Sequence, residues 1–213
     1  MKYKNKIIVV VILLAIAMTT IYAVESYYEI IQLESKIIRL HILANSDTLQ
    51  DQELKLKVRN NIINTFNKRF SNISNKKESE ALILKNLNEI KSIAQKTIND
   101  EGYYYDVRVY YGKYNFPIRE YDNFALPSGD YDAVRVEIGE AKGQNWWCVM
   151  FPPLCFTDFG KKFDAGFESI EEKLKEVLTE QEIQLIKTNR GYSQIKFKSI
   201  IAELIQGLVK NEK

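Results

Sequence analysis

The stretch of sequence that decides the fold runs from residue 123 to residue 156 and reads NFALPSGDYDAVRVEIGEAKGQNWWCVMFPPLCF. Between residues 134 and 138, aliphatic and charged side chains alternate with the period of two that is typical of a half-buried strand. Turn residues at 139–143 separate this strand from the apolar run 146–151, which suits a central strand. The pattern predicts a β-hairpin that ends at Pro152-Pro153, because proline cannot donate a hydrogen bond to a ladder.

The N-terminus has the pattern of an export segment. Lys2, Lys4 and Lys6 precede residues 7–24, an apolar run of 18 residues without a charge. A basic flank followed by such a run is typical of a signal peptide, and about 17–25 residues also suffice for a membrane-spanning helix. We expect residues 1–24 to be a signal peptide or a membrane anchor, and the pattern leaves open whether they are cleaved. In both cases residues 25–213 form the exported domain.

The charge balance of the exported part argues against nucleic acid as a partner. Of the 30 basic residues, 27 lie after residue 24, together with all 28 acidic ones. The exported part is therefore close to neutral, and its basic residues form no stripe along the sequence. Nucleic-acid-binding domains usually show a clustered basic surface, so we expect none here.

The cysteines of an exported chain favour a disulfide. Cys148 and Cys155 are the two cysteines of the sequence, and export places them in an oxidising environment. A buried reduced pair and a metal site remain alternatives. Zinc would need further ligands, and the sequence contains a single histidine, His41. We expect no metal and no cofactor.

Outside the opening stretch, the periodicity predicts a sheet covered by helices. Residues 37–44 alternate as a strand with one apolar and one mixed face, and residues 103–111 form a tyrosine-rich strand. Apolar residues repeat every four positions over 48–70, and a second helix is predicted over 78–99. Residues 114–130 are predicted to be a long connection. The fold class is therefore α+β: a single domain with an antiparallel or mixed sheet of about four to five strands, covered by long helices and preceded by a hydrophobic export segment.

Three helix ends carry capping signals. Asp47 with Gln50 three residues later predicts the N-terminus of the helix that follows. Thr179 with Glu182 forms the same kind of box near the C-terminus of the chain. Gly102 suits the C-terminal cap of the helix over 78–99.

The residues that could carry chemistry are few. His41 with Cys148 or Cys155 is the only possible thiolate pair, but Cys148 lies in a run that reads as a buried strand, where a thiol is inert. Asp130 and Asp132 share a strand face, but sequence spacing cannot place two carboxylates across a cleft. We expect no catalytic residue. The alternative is an envelope hydrolase that acts on peptide or peptidoglycan through His41 and a cysteine or carboxylates.

The adjacent tryptophans must point to opposite faces of a strand. One of Trp146 and Trp147 is then core, and the other is either covered by a helix or available to a partner, for which exposed tryptophan is a frequent anchor. The sequence leaves these two possibilities open.

Two segments carry a family resemblance. They are IIRLHILANSDTLQDQELKLKVR (37–59) and FPIREYDNFALPSGDYDAVRVEIGEAKGQNWWCVMFPPLCF (116–156). With the N-terminal export segment they resemble the stage II sporulation protein R family. Asp122 and Ala141 stand where glycine is usual in that family.

The resemblance implies a signalling role between the compartments of a sporulating cell. Members are made in the forespore and exported into the space between the two membranes. There they switch on a membrane-embedded aspartic protease, the stage II GA protein, which processes the precursor of the mother-cell sigma-E factor. The resemblance implies no enzymatic activity and no small-molecule substrate.

Binding is then the expected mechanism, with the protease as the partner. We expect two contact surfaces, one formed by the 114–130 connection with the tryptophans and one at the strand-to-helix corner of residues 39–47. The corner could instead be strand and cap with no outward role. The candidate partner-binding residues are Arg39, His41, Asn45, Asp47, Phe116, Tyr121, Trp146 and Trp147.

Overall fold

The computed structural model describes residues 2–70, 73–121, 124–156 and 167–187, together with 198, 200–202, 204 and 205. The chain divides into two compact units. The first comprises Met1–Leu33, Pro117–Gly129 and Gln184–Lys213, and the second comprises Glu34–Phe116 and Asp130–Ile183. The helices are α1 (Lys2–Lys36), α2 (Leu49–Phe70), α3 (Lys76–Lys85), α4 (Leu87–Asp100), α5 (Phe167–Lys175) and α6 (Glu180–Ile186), with a 3-10 turn at Leu154–Phe156. The strands are β1 (Ile38–Leu43), β2 (Val107–Phe116), β3 (Arg119–Tyr121), β4 (Phe124–Leu126), β5 (Gly129–Ile138) and β6 (Asn145–Phe151).

The second unit contains a mixed four-stranded sheet in the order β2-β5-β1-β6, which confirms the α+β fold class. The predicted hairpin of β5 and β6 is wrong, because β1 lies between them. β1 pairs with β5 in parallel and with β6 antiparallel. A parallel pair needs a long crossover connection, and the chain between β1 and β5 contains α2, α3 and α4 followed by β2, β3 and β4. Both strands of the predicted hairpin exist, and β6 ends at Phe151 as the following prolines require.

The aliphatic residues of β1 face the helices. Ile38, Leu40 and Ile42 belong to the main hydrophobic core together with residues of β5 and β6. The predicted stripe of α2 is confirmed, since all of its members are buried in the same core: Leu54, Val58, Ile62, Phe66 and Phe70. Burial of such side chains contributes about 1.5–3 kcal/mol each.

The single helix predicted over 78–99 is wrong, because two helices, α3 and α4, meet at Asn86. The Asn86 side chain donates to the carbonyl oxygen of Leu82 (2.6 Å), and its backbone N–H donates to that of Ile83 (2.9 Å). An asparagine that bonds nearby backbone groups competes with the helical hydrogen bonds. The predicted cap at Gly102 is confirmed: its φ is +81°, and the N–H groups of Gly102 and Tyr103 each donate to carbonyl groups of the last turn.

The predicted connection over 114–130 is also wrong. β2 begins at Val107 rather than at residue 103 and continues to Phe116. In the first unit, β3 and β4 form a short antiparallel ladder with Arg119 opposite Leu126. The capping box of Thr179 and Glu182 is present: the Thr179 N–H donates to Glu182 Oε2 (2.7 Å), and the Glu182 N–H donates to Thr179 Oγ1 (3.3 Å).

Helix α1 is the one helix of the described residues that is long and apolar enough to cross a bilayer. It runs without a break from Lys2 to Lys36, and its apolar side chains up to Val24 are mostly exposed. The apolar region of a signal sequence near the N-terminus would pass the same test. The division of the chain at residue 24 therefore stays a prediction.

Candidate functional site

The alternation of β1 places Arg39 and His41 on the face of the sheet opposite the aliphatic core. The ladder puts Trp147 of β6 directly beside His41, and Ala133 of β5 beside Arg39. Tyr131 lies two residues before Ala133 and therefore shares its face. With Phe116 of β2, every strand of the four-stranded sheet contributes to one cluster. We call this cluster the aromatic face and define it as Arg39, His41, Phe116, Tyr131 and Trp147.

The rings of the aromatic face contact each other closely. The imidazole of His41 stacks on Trp147, with ring centroids 3.9 Å apart and planes at 15°. Phe116 meets Trp147 edge to face at 4.8 Å and Tyr131 at 5.6 Å. Such pairs contribute about 0.5–1.5 kcal/mol beyond the area they bury. The contacts hold side chains from all four strands in one arrangement.

Arg39 is the charged member of the aromatic face and is fully buried. Its guanidinium carbon lies 4.3 Å from the centroid of Phe116 and 5.0 Å from that of Tyr131. A cation over aromatic rings is attracted by their quadrupoles, by about 2 kcal/mol when both groups are desolvated. Arg39 and Phe116 have no exposed surface, whereas Trp147 stays partly exposed. Of these three, Trp147 is the one that can touch a partner in this conformation.

Trp146 points to the other face of the sheet, as adjacent residues of a strand require. We call this face, which packs against the helices, the helical face. It packs against the main core, and the guanidinium carbon of Arg59 lies 4.0 Å from its ring centroid. The two tryptophans therefore have different surroundings: Trp147 contacts a histidine on the aromatic face, and Trp146 contacts an arginine of α2.

The corner after β1 is joined to the connection between β5 and β6. Asn45 Oδ1 accepts from the backbone N–H of Glu140 (3.0 Å), and Asn45 Nδ2 donates to Asp51 Oδ2 (2.8 Å). Asp47 Oδ1 accepts from the backbone N–H of Gln144 (2.6 Å). The predicted capping role of Asp47 is therefore wrong. Thr48 takes that place, and its hydroxyl accepts from the N–H of Asp51 (3.3 Å).

The carboxylate of Asp51 accepts hydrogen bonds from polar side chains of the corner. Burial alone would raise its pKa, but hydrogen bonds from Ser46 and Asn45 outweigh this and hold the pKa below the usual value. Ser46 Oγ donates to Asp51 Oδ2 at 2.5 Å. Asp51 thus stays ionised and stabilises the corner where α2 begins.

Two glycines make this close approach possible. A Cβ on Gly143 would lie 2.1 Å from the carbonyl oxygen of Ser46, and a Cβ on Gly139, where φ is +56°, would lie 2.3 Å from Asn45 Oδ1. Any larger residue would push the two segments apart. The sequence indicated only a turn here, because nothing local to 139–143 shows which segment it packs against.

The structure joins Cys148 and Cys155 by a disulfide, with Cα atoms 5.9 Å apart. Both cysteines are buried in the main core, 4% and 3% exposed. A bonded sulfur cannot act as a thiolate nucleophile or a metal ligand. Within the described ranges, no group of three or more histidine, cysteine or acidic side chains is placed to hold a metal ion.

The remaining candidate, Tyr121, belongs to the first unit and stacks on Phe124 of the neighbouring strand at 4.9 Å. The eight candidates thus fall into four places: the aromatic face, Trp146 beside Arg59, the corner, and the β3–β4 ladder. Sequence reasoning missed Tyr131 and Arg59. Tyr131 could have been found, because it lies an even number of residues from Arg135 along β5 and therefore shares its face, opposite the aliphatic residues. Nothing in the local sequence pointed to Arg59.

Glu34, at the C-terminal end of α1, is a buried titratable group that the sequence analysis did not name. Burial raises the pKa of its carboxyl to about 7, and the nearby charge of Asp130 acts in the same direction. A hydrogen bond involving the backbone of Asp130 and the charge of Lys113 oppose this. The side chain is 6% exposed, and Oε1 has no hydrogen-bond partner in the described part of the chain.

Comparison with known proteins identifies the family of the chain. The family model described as "Stage II sporulation protein R (spore_II_R)" matches residues 34–161, more than half of the chain. The "Stage II sporulation protein R" of Bacillus subtilis (strain 168) is 43% identical over 122 residues, which are 57% of this chain and 54% of that protein. The chain thus matches about half the length of this curated relative. No solved structure matches the chain. The chain belongs to the stage II sporulation protein R family.

Proposed function

We propose that this protein is an exported forespore signal that activates a membrane-embedded aspartic protease of the stage II GA type. The activated protease would then process the precursor of the mother-cell sigma-E factor. The observation that carries the proposal is membership of a sporulation family, together with an N-terminal helix suited to export or anchoring. The protein would act in the space between the two forespore membranes.

The aromatic face supports a binding role. Its buried members His41 and Phe116 contact the ring of Trp147, which keeps a partly exposed surface. A rigid tryptophan loses little conformational entropy on binding and is a frequent interface anchor. Contact there would shift the protease toward its cleavage-competent state only if that state binds more tightly than the inactive one.

One observation favours the alternative, an envelope hydrolase. A carboxyl group with a pKa of about 7, such as that of Glu34, can act as a general acid near neutral pH. The cysteine version of this alternative is weakened because both sulfurs are in the disulfide. Asp132 does not favour the hydrolase either. Burial would raise its pKa, but hydrogen bonds from Lys76 and Lys113 outweigh this and hold the pKa below the usual value. Such a carboxyl group is ionised near neutral pH and cannot donate a proton there.

The experiment adds the purified full-length chain to proteoliposomes that contain the protease and its sigma-factor precursor, and measures precursor cleavage. Under our proposal the wild-type chain triggers cleavage. Trp147→Ala lowers the response, whereas Glu34→Gln retains it wherever the variant is folded. The matched control is Tyr104→Ala, which removes an aromatic ring that is 97% exposed.

Three results would contradict the proposal. Absence of cleavage with folded wild-type chain would exclude direct activation. Loss of the response in folded Glu34→Gln, with binding retained, would favour the hydrolase. An equal loss in Trp147→Ala and Tyr104→Ala would remove the specific role of Trp147.

A further inference from the structure

Two cations of α2 face the beginning of β6, and neither bonds a carboxylate in the part of the chain that the structure describes. Lys55 and Arg59 lie four residues apart and therefore on the same side of the helix. Arg59 donates from Nε (3.0 Å) and from a terminal nitrogen (2.7 Å) to the side-chain oxygen of Asn60. Lys55 Nζ donates to Gln52 Oε1 (2.5 Å) and to the carbonyl oxygen of Gln144 (2.9 Å). All of these acceptors are neutral.

Arg59 differs in this respect from other arginines of the same unit. Arg69, Arg108 and Arg135 each form an ion pair with a glutamate. Among the described residues, no carboxylate lies within ion-pair distance of Arg59, although its side chain is only partly exposed. A desolvated cation without a counter-ion is costly, and an arriving carboxylate removes that cost.

The electrostatics agree with an excess of positive charge. Burial lowers the pKa of Arg59. Burial is also the main cause that lowers the pKa of Lys55, the charge of Arg59 adds to it, and the charge of Asp47 opposes it. The carboxylate of Asp47 is held by the backbone N–H of Gln144. Its charge acts on Lys55, whereas burial is the one cause that lowers the pKa of Arg59.

The adjoining strand, β6, lies at the edge of the sheet in the described chain. In the four-stranded sheet of the described chain, β6 has β1 as its neighbour on one side and ends the strand order. Residues 145–147 are partly exposed, whereas 148–151 are buried. Asn145 Oδ1 and Trp146 Nε1 are buried without a hydrogen-bond partner in the described ranges. Unpaired strand edges accept an extended segment by backbone pairing.

We propose that Arg59, Asn145 and Trp146, beside the buried Lys55, form a docking notch for an extended, acidic segment of a protein partner, whose carboxylate pairs with Arg59. Arg59 is held in place by the ring of Trp146, so its guanidinium is oriented before the carboxylate arrives. The inference rests on the proposed function in one respect: the segment belongs to the outward-facing part of the protease. It adds which side chain recognises that part and what charge the recognised segment carries.

The test uses the full-length chain with the protease proteoliposomes and measures both co-sedimentation and precursor cleavage. We expect Arg59→Glu to weaken binding at least tenfold and to lower cleavage in parallel, because a like charge then meets the carboxylate. Arg59→Gln should give a smaller loss in both readouts, since it removes the charge but keeps a planar group over Trp146. If Arg59→Glu is poorly folded, Arg59→Gln alone tests whether binding needs the charge of Arg59.

The matched control is Lys91→Glu, which makes the same charge change at an exposed position of α4. It should bind within twofold of the wild type. A third arm uses vesicles of anionic lipid without the protease. Binding to these that depends on Arg59 would assign the notch to lipid headgroups and overturn the proposal.

Two further outcomes separate the notch from the proposed function. If the wild-type chain activates the protease and both Arg59 variants do so equally well, the notch is wrong and the proposed function stands. If folded wild-type chain neither binds nor activates the protease, the proposed function fails, and the notch fails with it. Equal losses in Arg59→Glu and Lys91→Glu would reduce the effect to overall charge.

Discussion

The two faces of the four-stranded sheet are built from alternate residues of the same central strand, and they differ in chemistry. On one face Ile38, Leu40 and Ile42 join a large aliphatic core beneath the helices. On the other, Arg39 and His41 contact aromatic rings from the three other strands of that sheet. Both faces are buried along β1. The strand therefore serves a non-directional core on one side and a directional cluster on the other.

The two faces are stabilised in different ways: one by buried apolar area and the other by the orientation of its side chains. Hydrophobic burial depends on area and tolerates swaps of similar volume. Stacked rings and a buried guanidinium depend on orientation and lose their contribution when a ring shifts. The first face should therefore dominate stability, and the second should dominate the shape that a partner meets.

Phe66→Ala should have the largest effect, because it opens a cavity in the helical core. Phe66 is fully buried and meets Phe70 edge to face. We expect a loss of about 3–5 kcal/mol in the free energy of unfolding, measured by urea denaturation. Leu84→Ala, at a position that is 50% exposed, is the control and should cost about 0.5 kcal/mol or less. A Phe66→Ala loss no larger than that of the control would contradict the dominance of the helical face.

Glu34→Gln should stabilise the protein at high pH. The pKa of Glu34 is raised from 4.5 to about 7 by burial, so the folded chain binds this proton more tightly than the unfolded chain. Stability from this group therefore falls as the pH rises from about 4.5 to about 7, by roughly 3 kcal/mol. The advantage of Glu34→Gln over the wild type should grow across that window and level off above it.

Unfolding free energies measured between pH 4 and pH 8 check this prediction. Glu53→Gln, at an exposed position of α2, is the control and should track the wild type. A difference between Glu34→Gln and wild type that stays constant with pH would show that Glu34 is ionised normally in the folded chain.

Removing the disulfide, which closes a short loop, should cost about 2–3 kcal/mol. The paired change Cys148→Ala with Cys155→Ala avoids placing hydroxyl groups in the core. A reducing agent should lower the Tm of the wild type toward that of the double variant and leave the double variant unchanged. If reductant leaves the wild-type Tm unchanged although free thiols appear, the bond does not stabilise the helical face.

Trp147→Phe should have the smallest effect on stability, about 0.5–1.5 kcal/mol, because it weakens the stack with His41 but keeps a ring on the aromatic face. Tyr110→Phe, at a side chain that is 45% exposed, should be neutral in the same denaturation measurement. A cost for Trp147→Phe as large as that of Phe66→Ala would mean that the two faces contribute equally, and the comparison would fail.

Local patterns predicted the parts of the fold whose partners lie nearby in the chain. The stripe of α2 follows from a repeat of four. The turn at Gly102 and the box of Thr179 with Glu182 involve residues within a few positions of each other. The disulfide of Cys148 with Cys155 spans seven residues and needed only export and pairing of the two cysteines. In each case the interacting groups can be seen in one short window.

The candidate site was predicted less completely for the opposite reason. Trp147 and His41 were both named, but their stacking depends on a register between strands more than 100 residues apart. Asp47 was assigned to its own helix, whereas its partner is the distant backbone N–H of Gln144. Tyr131 and Arg59 were missed because their roles arise only when another element lies against them.

The sequence by itself determined the class of the protein: an apolar N-terminal helix, an α+β domain, an aliphatic stripe for the core, and motifs specific enough to place it in its family. Only the tertiary structure decided that β1 lies between β5 and β6, and with it which side chains form the aromatic face. The physical reason is that periodicity reports which side of an element is buried, whereas strand order depends on the free energy of long-range pairing. That energy is shared by segments that no local window contains together.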